Sequence, residues 1–429
     1  MKIKFKKIGY RELIERTNAE KKPHRKPIRP NIFFRTLMKV VALPDLIATK
    51  FSYEEVGMDR LGKGERAFYL MNHSSFIDLE IAASVLYPKP FNIVATTDAF
   101  FGKDWLMHKI GCIPTRKFTS DPALVRDMLH ASRKLKDNII MYPEVGYSLD
   151  GTATTLPDSI GGCVKLLGMP LVMLRTYGAF TRDPVYNNLQ RRKVKVSARV
   201  EYLLSPDEIK EMSKEEINAI IFEQFSFDNF AWQRENKVRV SEDFRADGLD
   251  RVCYKCPHCM SEGKMRGKGI HLECTACGVK YTLDEFGALV NEGGETKIAS
   301  VPEWYKWERA EVRRELESGE YGISFPAKIF AAVDTKGLYY IGEGEFSHGE
   351  SGFTVKTDDG ELDYRQKPTA TYSVNADFFW YELGDIISVG DSECLFYCLP
   401  LTDGVSVAKI RLAAEEAYKI EWAKKDNSK

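Results

Sequence analysis

From Arg66 onward the chain alternates short apolar runs with amphipathic stretches. Arg66–Met71 (RAFYLM), Phe91–Ala95, Cys112–Thr115, Ile139–Tyr142 and Pro170–Tyr177 are apolar enough to be strands buried on both faces. Arg192–Leu204 alternates as a half-exposed strand should. Between them, Asp78–Tyr87, Phe100–Lys109 and Ser159–Leu167 read as helices, and Leu124, Met128, Ala131 and Leu135 share one helical face. The pattern predicts an α/β domain with a mixed sheet covered by helices on both faces. Ligand sites in such sheets lie at the carboxyl ends of the strands.

The pattern changes at both ends. Within Asn31–Lys50, Phe34, Leu37, Met38 and Val41 fall on one face of a helix, which Arg35, Lys39, Pro44 and Asp45 interrupt. Near the other end, Pro302–Leu316 reads as a linking helix anchored by Trp304 and Trp307. From Ala327, short β-rich runs are separated by turn signals, and a last helix is expected over about Ser406–Ala423. Antiparallel strands closed by one helix resemble a pleckstrin-homology (PH)-like barrel, in architecture only. The expected division is residues 1–50 (basic arm and amphipathic membrane-interface helix), 51–245 (the α/β domain), 250–290 (a metal-binding ribbon), 300–320 (linking helix) and 326–429 (β-rich domain).

Charge sharpens this division. The 429 residues carry 62 Lys and Arg against 62 Asp and Glu, so no overall field points at nucleic acid. Residues 1–30 hold eleven basic and three acidic residues, a local charge of +8. A basic arm followed by an amphipathic helix suits an anionic membrane surface at about 1 kcal/mol per basic residue. A solvated tail and a core-packed helix fit the pattern equally well. No apolar run approaches a membrane span, and nine Cys are too few for a disulfide scaffold. A reducing, cytoplasmic setting at the inner face of the membrane is expected.

The candidate chemistry sits at strand ends. After the first buried strand comes Asn72-His73-Ser74-Ser75-Phe76-Ile77-Asp78. A carboxylate five residues beyond a His can accept the Nδ1 proton, which leaves Nε2 free to take a proton from a hydroxyl. Ser75-x-x-Asp78 is also a capping-box signature, so the same residues fit a purely local role.

Three further segments follow in order: GCIPTRK (Gly111–Lys117), YPEVGYS (Tyr142–Ser148) and GMPLVML (Gly168–Leu174). With NHSSFID they resemble the four blocks of the glycerolipid acyltransferase family, typified by lysophosphatidic acid acyltransferases, over about Phe51–Lys237. The resemblance implies transfer of a fatty acyl group from acyl-CoA or acyl carrier protein to the hydroxyl of a lysophospholipid or related glycerolipid. It implies His73 as general base, Asp78 as its orienting partner, Arg116 on the acceptor's phosphate, and Glu144, Gly146 and Tyr147 at the acceptor site. The third block departs from the family's Phe-Pro-Glu-Gly-Thr-Arg-Ser: Val145, Gly146 and Tyr147 stand for Gly, Thr and Arg. A Tyr offers one hydroxyl where an Arg grips a phosphate with two donors, which weakens phosphate recognition. A binding module on a degenerate acyltransferase fold and a thioester hydrolase are the alternatives.

Cys256-x2-Cys259 and Cys274-x2-Cys277 read as a four-thiolate zinc ribbon with a structural role, with iron as the alternative metal. Cys253 offers another register for Cys256, and His258 is a spare ligand. The intervening SEGKMRGKG suits a hairpin. Its basic residues read as a solvated tip, so nucleic acid is not an expected partner. Membrane lipid and acyl thioester are.

Overall fold

The computed structural model describes residues 3–20, 24–119 and 121–426; Lys2, Lys21 and Lys22 of the basic arm lie outside the described residues. Among these residues the strands form three sheets.

The first is seven-stranded, ordered Ser52–Val56, Ser197–Leu204, Leu171–Tyr177, Phe68–Met71, Asn138–Met141, Phe91–Thr96 and Cys112–Thr115. Only the pair Leu171–Tyr177 and Ser197–Leu204 is antiparallel; every other neighbouring pair is parallel. Its buried strands alternate in the faces they serve. Tyr69 and Met71 pack toward Ala42, Leu46 and Ile81 on the helices Ile32–Ala48 and Ile77–Leu86. Phe68 and Leu70 pack toward Met128, Val164 and Ile221 on the opposite layer. That two-sided burial is why these strands are continuous apolar runs. The expected mixed sheet with helices on both faces is the observed one.

The helix Ile32–Ala48 starts at Asn31, whose side chain accepts from Phe34 N, and runs through Pro44 rather than stopping there. Pro44 removes one ladder bond, and the carbonyl left over belongs to exposed Val40, within reach of water. Asp45 pairs with Arg182 (3.1 Å) and Arg191 (2.8 Å). The expected strand Arg192–Leu204 begins only at Ser197, because Arg192 is buried, donating to Asn187 Oδ1, Tyr186 Oη and Arg245 O.

The second sheet is the ribbon: Met265–Lys268, His271–Cys274, Lys280–Leu283 and Leu289–Asn291, all antiparallel. The helix Val301–Glu317 joins it to the third sheet. There an antiparallel path runs Asp363–Gln366, Gly352–Thr357, Leu338–Gly349, Ile323–Ala332, Leu395–Pro400, Gly384–Gly390, Asn375–Trp380. The C-terminal helix Val407–Asp426 packs on it, with Val407, Ile410, Leu412 and Ala413 in the core. These are the β-rich strands and closing helix expected for this end of the chain.

The arm is not a separate tail. Phe5–Lys7 pairs in parallel with Leu338–Tyr340 of the third sheet, and the helix Tyr10–Ala19 buries Leu13 in the core shared by ribbon, linking helix and C-terminal sheet. Part of its positive charge is therefore laid on the β-rich region.

Candidate active site and metal centre

The parallel strands Phe68–Met71, Asn138–Met141, Phe91–Thr96 and Cys112–Thr115 run in one direction, so their carboxyl ends share one edge of the sheet. His73 leaves that edge two residues after Met71. The helix beginning at Ile77 carries Asp78 in its first turn. His73 Nδ1 lies 3.1 Å from Asp78 Oδ2. The same oxygen accepts from Ser74 N (2.8 Å) and Ser75 N (3.0 Å). The catalytic and the turn-forming readings of this motif thus coincide: one carboxylate oxygen closes the turn and holds the imidazole. Asp78 is 1% exposed and His73 20%, so the anchor is dry while the ring is reachable.

Glu144 fixes the backbone beneath His73. Tyr142-Pro143-Glu144-Val145 is a tight turn, with Pro143 at a favoured position and Val145 N donating to Tyr142 O. The turn aims Glu144 inward, where Oε2 accepts from His73 N (2.8 Å) and Oε1 from Thr154 N (2.9 Å). Ser148 N in turn donates to His73 O (3.1 Å). Burial pushes Glu144 up to about 7, against the pull of the two N–H groups that favour its anion. Val145 sits at φ +62°, a left-handed conformation that a β-branched residue rarely adopts. It occupies the position where the family pattern has Gly.

The imidazole lies against two rings. Its centroid is 4.3 Å from that of Tyr142 and 4.2 Å from that of Tyr147. Burial holds both phenols well above their ordinary value, so they stay neutral. Tyr147 also meets Phe76 edge-on (5.6 Å). The β-rich region approaches the same loop: a Cβ on Gly146 would stand 3.6 Å from Asn375 Oδ1.

His73, Asp78, Glu144, Gly146 and Tyr147 thus come together. Arg116 does not join them. Its Nη2 donates to the carbonyls of Val333 (2.7 Å) and Glu393 (3.4 Å), in turns that join strands of the C-terminal sheet. Its neighbour Lys117, buried, pairs with Asp98 (2.9 Å), while burial and the charge of Asp98 push Asp377 up to about 6 against the pull of Lys117. Sequence reasoning did not single out Tyr142 or Thr154, nor the buried pair Arg182–Asp183 (3.0 Å). Only Tyr142 lay within a quoted block.

In the ribbon, the sulfurs of Cys256, Cys259, Cys274 and Cys277 all lie within 4.8 Å of one another, with two separations of 3.7 Å. Four sulfurs at 2.3 Å around a tetrahedral zinc stand about 3.8 Å apart, so the cluster fits such an ion. Both knuckles turn through a left-handed residue after the second Cys, Met260 (φ 61°) and Gly278 (φ 74°). Cys253 is fully buried outside the cluster, and His258 Nε2 meets Tyr281 Oη at 2.9 Å. The register is therefore the one through Cys256.

Residues 53–172 match the model of the acyltransferase family. No curated protein matches the chain. Among solved structures, the 1-acyl-sn-glycerophosphate (LPA) acyltransferase PlsC of Thermotoga maritima is similar at 16% identity and a TM-score of 0.36. That similarity covers 44% of this chain and 76% of that one. The family match spans the first three quoted blocks and reaches into the fourth, and it includes every residue of the His73 cluster. Over residues 53–172, then, the chain is similar to the acyltransferase family.

Proposed function

We propose that this chain transfers a fatty acyl group from an acyl thioester, acyl-CoA or acyl carrier protein, to the hydroxyl of a lysophospholipid or related glycerolipid. The observation that carries the reading is the His73–Asp78 pair at 3.1 Å, on the carboxyl edge of the matched domain. With Nδ1–H held by the carboxylate, Nε2 is the basic nitrogen left to the substrate. It takes the proton of the acceptor hydroxyl as that oxygen attacks the thioester carbonyl. The tetrahedral adduct collapses, the C–S bond breaks, and the imidazolium returns the proton to the leaving thiolate. Asp78 stabilises the imidazolium between these steps, and Glu144 holds the main chain that carries the ring. Tyr142 and Tyr147 flank the ring and limit its rotation. Arg116 reaches an acceptor phosphate only by giving up Val333 O and Glu393 O.

A peripheral setting at the inner, cytoplasmic face of a membrane accompanies this reading. No helix among the described residues is long and apolar enough to cross a membrane. The helix Ile32–Ala48 nevertheless exposes Phe33 (66%), Val41 (64%) and Ile47 (71%), and Trp105 (61%) stands beside Phe34. Such a patch rimmed by Arg35 and Lys39 suits an anionic lipid surface. In the ribbon, zinc is the metal we assign to the four Cys, in a structural role.

Two observations favour a second reading. Tyr147 lies against His73 and Arg116 is tied to the C-terminal sheet, which suits a protein that binds rather than turns over. Incubation with acyl-CoA and a panel of lysolipids separates the cases. New diacyl lipid supports the transferase. Free fatty acid alone identifies a hydrolase, and no turnover with any acceptor refutes the enzyme reading.

A further inference from the structure

Arg182 and Asp183 are buried, charged and outside the His73 cluster. They follow the strand Leu171–Tyr177, which runs parallel to Phe68–Met71, so they emerge on the same edge of the sheet as His73. Arg182 Nη1 donates to Asp183 Oδ2 (3.0 Å), and the other end of the fork, Nη2, reaches Asp45 Oδ2 (3.1 Å) on the helix Ile32–Ala48. Burial, with the charge of Asp78 nearby, pushes Asp183 up to about 6 against the pull of Arg182 and of the Ser75 hydroxyl, so it is mostly an anion at neutral pH. Its Oδ1 is buried and has no partner among the described residues. A buried ion pair with an oxygen left over adds little to stability over apolar residues of the same volume, so packing alone does not account for it. What Asp183 touches does. Ser75 is buried, and its Oγ accepts from Ile77 N (3.4 Å). Its own proton needs an acceptor, and the hydroxyl hydrogen-bonds Asp183. The main-chain N–H of the same Ser75 donates to Asp78 Oδ2 (3.0 Å), the oxygen that holds His73 Nδ1. Ser75 is thus gripped at its side chain by Asp183 and grips the dyad through its backbone.

We propose that Asp183 is a positioning residue for the dyad: through the Ser75 hydroxyl it fixes the turn that aims Asp78 at His73, and Arg182 in turn fixes Asp183 to Asp45 on the helix Ile32–Ala48. The role rests on the acyl-transfer reading for its use but not for its geometry. Asp183 touches no reacting atom. Without it the turn around Ser75 is no longer held from behind, Asp78 Oδ2 shifts against Nδ1, and the imidazole loses its single orientation. What falls is the rate of proton transfer rather than the affinity for substrate. The same chain of bonds links the base to the helix whose exposed apolar side chains are assigned to the membrane surface.

The test compares the full-length wild type with Ser75→Ala, Asp183→Asn and the double variant. Nitrogen NMR of isotope-labelled histidines reads the tautomer of His73, assigned by its loss in His73→Gln, and needs no substrate. Wild type is expected to carry the Nδ1 proton alone, and both single variants a mixture of tautomers. In acyl transfer each single variant is expected to lose about tenfold in kcat with KM within about twofold, and the double variant no more than the worse single, because both substitutions cut one chain of bonds. Asp183→Asn leaves the buried Arg182 short of a counter-charge and can fail to fold; Ser75→Ala removes one hydroxyl and keeps the test open. A tautomer shift in a protein that turns over no acceptor removes the acyl-transfer reading and leaves the positioning role standing. A Ser75→Ala protein with the wild-type tautomer overturns the proposal, and so does a double variant whose losses multiply.

Discussion

Replacing Asp78 by Asn separates the charge of this residue from its geometry. Oδ2 accepts from three donors, whereas Oδ1 is buried and has no partner among the described residues. The Asn carbonyl therefore takes the place of Oδ2 and keeps the turn, and its amide takes the place of Oδ1. An unpartnered buried NH2 costs about 1–3 kcal/mol, which a domain of this size survives. What disappears is the negative charge 3.1 Å from Nδ1. At an effective dielectric constant of about 20, a unit charge pair at that distance is worth about 5 kcal/mol, an upper bound on the lost stabilisation of the imidazolium. The expected consequence is a fall of roughly 10²–10⁴ in kcat with little change in KM. Thiol release from acyl-CoA, followed with a chromogenic thiol reagent at saturating lysolipid, measures it. A folded Asp78→Asn protein with kcat within about threefold of wild type would refute the dyad.

Four other outcomes are expected. Val145→Gly relieves the left-handed strain and stabilises the fold by about 1 kcal/mol, read as a raised Tm; a lowered Tm contradicts the strained turn. Burial pushes Glu415 up, yet Arg309 and Arg411 hold it at about 2, below its ordinary 4.5. Its contribution to stability, about 3 kcal/mol, is therefore complete above pH 4.5 and lost as pH falls toward 2. Denaturant melts of wild type should steepen over that window, and Glu415→Gln should flatten the dependence while lowering stability at neutral pH. Elemental analysis should find one zinc per chain, and a chelator strong enough to remove it should lower Tm; iron, or no change on removal, counts against a structural zinc. Phe33→Ser with Ile47→Ser should weaken co-sedimentation with anionic vesicles severalfold, and equal binding would remove that helix from the membrane interface.

How much was legible in the sequence follows from where each signal resides. Phe68–Met71 and the first four residues of Leu171–Tyr177 announce themselves because both sheet faces are buried there, so each of those residues is apolar. The edge strand Ser52–Val56 (SYEEV) is almost wholly exposed and carries no hydrophobic signal, and Phe5–Lys7 is exposed throughout. The helices Pro206–Glu211 and Lys214–Phe225 were legible through the capping boxes Ser205/Glu208 and Ser213/Glu216 but were not singled out. His73 with Asp78, and the Cys knuckles, are local in sequence and could be found there. The engagement of Arg116 by Val333, 217 residues away, and the packing of two Tyr rings on His73 depend on how sheets and loops meet, which no local pattern encodes.

The central claim is best tested on the imidazole itself, by mass-spectrometric product analysis of isotopically labelled acyl-CoA and lysolipid with wild type and His73→Ala side by side. The account expects labelled diacyl lipid from wild type and at least a hundredfold less from a variant with an unchanged melt. Equal product from both proteins would contradict it.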